Sequence, residues 1–90
     1  MSIFVVVLNQ DAPESFEAKI NELYPLSYRY ENNVFFLEDD NIPETIANRL
    51  GIKVEDENQR TATGAVFGLD GSYSGYTAKA LWDWLGRIEK

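Results

Sequence analysis

The side chains able to do chemistry in this sequence are carboxylates. The densest group is Glu38-Asp39-Asp40, and Asp11 follows the first apolar run. If the runs preceding them pair as neighbouring strands, Asp11 is expected to lie beside the other three. Clustered carboxylates at strand ends can hold Mg²⁺ through oxygen, so a Mg²⁺-dependent nuclease is one chemistry these four residues allow. The plainer reading is that they lead into helix N-termini, where acids favour the helix dipole and cap free N–H groups. The chain has no histidine and no cysteine. That excludes imidazole bases and the triads built on them, and it excludes disulfides and thiolate ligands. Zinc is not expected, and no cofactor is expected unless the nuclease reading holds.

Two further segments carry suggestive residues. Glu55-Asp56-Glu57 reads as a solvated loop face. Asp70-Gly71-Ser72-Tyr73-Ser74-Gly75-Tyr76 is glycine-rich. It lacks the lysine-serine ending of a P-loop and the spacing of a dinucleotide-binding turn, so it reads as a turn that lets the last helix fold back. Trp82 falls off the apolar face of that last helix. With Tyr73 and Tyr76 it is a candidate contact patch for a protein partner.

The elements that position these residues follow from length and pattern. Ninety residues make one domain, and a chain this short buries only about 60% of its unfolded surface. Its hydrophobic content of 44%, with two Trp, five Tyr and five Phe, allows a core, and a homodimer would add buried area. Fifteen acids against eight bases give a net charge of −7, and the bases are scattered. Nucleic acid is therefore not an expected partner. The charge fits either solubility or binding to a basic protein, as an acidic inhibitor or nucleic-acid mimic. The longest apolar run, Ile3-Phe4-Val5-Val6-Val7-Leu8, is far short of the roughly 20 residues that span a membrane. Without a basic region before it or a small-residue site after it, it does not read as a signal peptide, and the cytoplasm is the expected compartment.

That run reads as a central strand buried on both faces. Asp11, Pro13 and Glu14 predict a capped helix start, and Phe16, Ile20 and Leu23 mark its buried stripe up to Pro25. Leu26-Ser27-Tyr28-Arg29-Tyr30 alternates like an edge strand. Asn32-Asn33 predicts a tight turn that uses positive φ. Val34-Phe35-Phe36-Leu37 is a second central strand. Asn41, Pro43 and Glu44 predict another capped helix, with Ile42, Ile46 and Leu50 buried and Gly51 ending it. After a polar loop over 53–60, residues 61–69 read as the last edge strand. Thr77 is placed to cap a final helix over 77–88, whose Leu81, Trp84, Leu85 and Ile88 share one face. The order β-α-β-β-α-β-α, and the rhyme between VVVLNQDAPESF and VFFLEDDNIPETI, predict an α+β fold. It is a ferredoxin-like βαββαβ unit, with a four-stranded antiparallel sheet in the order 4-1-3-2 and an extra C-terminal helix. That helix is expected to cover the sheet face that the other two leave open, in its own subunit or in a dimer partner.

The segment AVFGLDGSYSGYTAKALWDWL, after a βαββα unit opening with IFVVVLNQDAP, resembles the SinR-like small bacterial proteins. The resemblance rests on Val66-Phe67-Gly68-Leu69, Gly71, Tyr73, Gly75-Tyr76 and Trp84-Leu85. That group is similar in fold to the small CRISPR-associated endoribonuclease of spacer acquisition. Nuclease relatives carry an aspartate at the end of the first strand, whereas the matching positions here read Leu8-Asn9. The resemblance thus implies the scaffold, dimerisation through the sheet or its C-terminal extension, and a setting in conflict with mobile elements. The function expected on these grounds is a small, non-catalytic, dimeric protein-interaction or regulatory module.

Overall fold

Strands that are apolar at every position need cover on both sides, and this fold supplies it with two helices on one sheet face and a third on the other. The computed structural model describes residues 2–69 and 79–88. In chain order the elements are β1 (Ser2–Leu8), α1 (Glu14–Leu23), β2 (Tyr28–Glu31), β3 (Val34–Asp39), α2 (Pro43–Leu50), a 3-10 turn (Glu57–Gln59), β4 (Gly64–Leu69) and α3 (Lys79–Ile88). The sheet runs β2-β3-β1-β4 with every neighbouring pair antiparallel, so the two continuous apolar strands are the central ones, as their composition requires.

Alternate side chains divide the sheet into two faces. Phe4, Val6 and Leu8 of β1, with Phe35 and Leu37 of β3, pack under Phe16 and Ile20 of α1 and Ile46, Ala47 and Leu50 of α2. Val6 is completely buried there. On the other face Ile3 packs with Leu81, Trp84 and Leu85 of α3, ringed by Tyr28, Tyr30, Phe36, Leu69 and Trp82. The expected cover of the open face is therefore present within the same chain, but it is partial. Farther along β1 and β4 on that face, Val7 is 37% exposed and Phe67 54%.

Several local expectations need correction. Neither helix is capped by a side chain: the N-cap positions are Pro13 and Ile42, not Asp11 and Asn41. The rigid φ of a proline near each start sets the entry to each helix instead. As an N-cap residue Ile42 lies outside the buried stripe and is 62% exposed. Leu23 is also exposed, and Leu26, expected in a strand, lies in the turn before β2 and is 78% exposed. The β2–β3 turn uses no positive φ at Asn32-Asn33; a register shift between Arg29 and Glu31 takes up the mismatch. The end of α2 matches expectation: Gly51 has φ +83 and closes the helix. A Cβ there would lie 2.7 Å from Thr61 Cγ2, because Thr61 is bonded back onto the helix end through Leu50 O and Gly51 O.

Candidate functional site

The carboxylates expected as metal ligands under the nuclease reading are not brought together. In the β1–β3 ladder Ser2 faces Asp39 and Val7 faces Val34, so the end of β1 meets the beginning of β3. Asp11 follows the end of β1, beside the β2–β3 turn, where Ala12 N–H donates to Asn32 O at 2.8 Å. Glu38, Asp39 and Asp40 are at the opposite end, roughly 20 Å away by the rise of the strand. The expectation of adjacency overlooked strand direction. Glu38 and Asp39 also point to opposite sheet faces, as successive strand residues must. Among the described residues no three acidic or other metal-binding side chains converge.

Asp39 is instead the centre of a polar clamp. Its Oδ2 accepts from the Tyr24 hydroxyl at 2.5 Å and from Arg49 Nη1 at 3.3 Å. Its Oδ1 accepts from the backbone N–H of Asp40 and Asn41 and from the Asn41 side-chain amide, at 2.6, 3.1 and 2.8 Å. These bonds tie the end of α1, the end of β3 and α2 together. Burial alone would raise the Asp39 carboxyl, but the hydrogen bonds from Tyr24, Asn41 and the two backbone N–H groups outweigh it and hold it below its ordinary value. The Tyr24 hydroxyl is raised, first by burial and then by its bond to the carboxylate. With its lone pairs engaged, Asp39 serves the fold. Sequence reading missed this role because Tyr24 carries no local signal for a partner fifteen residues away.

On the other face Glu38 lines a cleft of about 170 Å³ with Leu23, Tyr24, Pro25, Leu26, Ser27 and Trp84. Trp84 Nε1–H donates to Leu26 O at 2.9 Å and so fixes the loop against α3. Glu38 itself is half-buried, and its side chain makes no hydrogen bond or ion pair with the described residues. Of the proposed contact residues, Trp82 is half-buried and packs at the margin of the second core, next to an open groove shared with Tyr28, Asp83 and Arg87. Tyr73 and Tyr76 lie outside the described residues, as does the predicted cap Thr77.

The remaining feature is the β4 edge. β4 pairs with β1 on one side and has no strand on the other among the described residues. Its sequence, GAVFGL, contains no charge and no proline. Phe67 lies opposite Val5, and Ala65 opposite Val7, so Phe67, Ala65 and Val7 form one exposed apolar strip beside that edge. The edge was legible in the sequence; the exposure of Phe67 was not, because it depends on how far α3 reaches. The acidic loop behaves as a solvated face, with Asp56 Oδ1 accepting from Asn58 N–H and Glu57 3.8 Å from Arg60. No helix among the described residues is long and apolar enough to cross a membrane. No protein-family model matches the chain, and no curated protein is significantly similar to it.

Proposed function

We propose that this chain is a small, non-catalytic, cytoplasmic interaction module on a ferredoxin-like scaffold, acting as a homodimer joined through β4. The observation that carries this is the β4 edge, uncharged in its own sequence and without a further strand among the described residues, with Phe67 54% exposed beside it. Edge strands in monomeric proteins are usually blunted by charge, proline or a covering element, because they present unpaired N–H and C=O groups. The opposite edge, β2, carries Arg29 and Glu31. A second β4 docked antiparallel would form an isologous two-fold interface and continue the sheet.

The element order and the strand order support the ferredoxin-like reading. The resemblance to SinR-like proteins agrees with a dimer and is the ground for reading its role as one in defence or mobile-element conflict. The nuclease reading lacks comparable support, since its four carboxylates lie at two ends of the sheet. A six-residue edge with a few apolar side chains is a small interface, so a dissociation constant of about 1–100 μM is expected. Phe67→Glu sets a carboxylate from each copy into the contact. Sedimentation velocity should give a concentration-dependent dimer for the wild type and a monomer for the variant, with unchanged circular dichroism. A wild type that is monomeric up to several hundred micromolar, or an unaffected variant dimer, refutes the proposal.

A further inference from the structure

We infer that the cleft between the α1–β2 connection and α3 is a receptor for one basic side chain of a protein partner. The inference rests on the interaction-module reading but not on the dimer.

An acidic side chain set partly into apolar surface ordinarily has its charge offset by a cation or by hydrogen bonds. Asp39, the next residue, has five such bonds. Glu38 has none among the described residues. The lining around it is otherwise mostly apolar, from Leu23, Pro25, Leu26 and Trp84. Leu26 is 78% exposed although it is fixed in place by its carbonyl's bond to Trp84. The cleft thus sets apolar surface beside one acidic side chain that has no partner among the described residues.

That combination matches the build of arginine and lysine, an aliphatic stem that packs on apolar surface and a charged head that needs an anion. An indole in the wall adds attraction for a cation. The volume, about 170 Å³, suits one long side chain rather than a folded element. A net charge of −7 would steer a basic partner toward the surface. A purely apolar occupant would fill the cleft but strand Glu38 without a counter-ion.

The test uses the full chain and two small probes, arginine amide and citrulline amide, which differ chiefly in charge. The chain has two tryptophans, so ¹⁵N-labelled protein gives two indole N–H signals, and Trp82 serves as an internal control for Trp84. Arginine amide should shift the Trp84 indole saturably, with a dissociation constant of about 1–10 mM for a fragment of this size. Citrulline amide should not. Glu38→Gln should weaken the arginine effect at least fivefold, while Glu55→Gln, which removes an exposed loop charge, should not change it. The inference is overturned if the Trp84 signal does not saturate. It is equally overturned if both probes act alike, if Glu38→Gln binds as well as wild type, or if Glu55→Gln weakens binding as much as Glu38→Gln does. Sedimentation of the same samples separates the two claims. A failed titration with the dimer intact rejects this cleft alone, and failure of both rejects the interaction-module reading.

Discussion

Truncating Trp84 to alanine tests whether α3 is part of the folded unit or an attachment to it. The side chain is 7% exposed and sits in the second core with Ile3, Leu81 and Leu85. Its ring centroid lies 6.3 Å from that of Tyr28 and 6.4 Å from that of Phe36, within the range of favourable aromatic pairing. Its indole N–H also satisfies Leu26 O. Removing a buried aromatic ring typically costs about 3–5 kcal/mol in lost transfer energy and cavity formation. A domain of this length has roughly 5–13 kcal/mol of stability in total. The variant should therefore lose a quarter of its stability at least. In urea melts followed by circular dichroism, the midpoint should fall with little change of slope, and Tm should drop by more than about 12 °C. Trp84→Phe keeps most of the ring and loses the hydrogen bond, so it should cost only about 1–2 kcal/mol. If Trp84→Ala costs less than about 1 kcal/mol, α3 does not hold the second face and the two-faced core is wrong.

Val6→Asp would bury an unpaired carboxylate in the middle of β1 at a cost of several kcal/mol; a soluble variant melting within a few degrees of wild type would contradict the central position of that strand. A Cβ on Gly64 would lie 2.3 Å from Val7 O and 2.8 Å from Leu8 Cα, so Gly64→Ala must push β4 away from β1 and should cost about 1–3 kcal/mol by urea melt. The clamp predicts how stability varies with pH. Asp39 is held below 3.8, so its contribution is complete above about pH 4 and is lost as pH falls through the depressed native value. Tyr24 is raised above 10.0, so its contribution is complete below pH 10 and is lost as pH rises through the native value. Tyr24→Phe should abolish the alkaline loss and shrink the acid one; identical pH profiles for the two proteins would show that the clamp contributes nothing.

Period and burial made the sheet readable. Ile3 to Leu8 and Val34 to Leu37 are apolar without alternation, and only a strand with neighbours and cover on both sides has a use for that pattern. Gly51 and the Leu81, Trp84, Leu85 stripe were readable for the same reason, since each is a local requirement of helix geometry. The helix starts were misread because a proline at the N-cap of α1 and one at the first position of α2 can substitute for a capping side chain, which left Asp11 and Asn41 without that task. Asn41 bonds Asp39 instead. The candidate site was legible only as a list of residues. Its geometry depended on antiparallel pairing, which separates Asp11 from Asp39, and on the reach of α3, which covers Ile3 and leaves Phe67 bare. Neither leaves a mark in the neighbouring sequence.

The dimer through β4 is tested most directly by hydrogen exchange of the Gly64–Leu69 amides at two protein concentrations, one well below and one well above the dissociation constant. In an edge strand, alternate N–H groups face away from the sheet and are open to water. The account predicts that these outward amides of β4 slow markedly at the higher concentration, while those of β2, at the other edge, do not change. Exchange at β4 that is the same at both concentrations, or slowing at β2 instead, would contradict it.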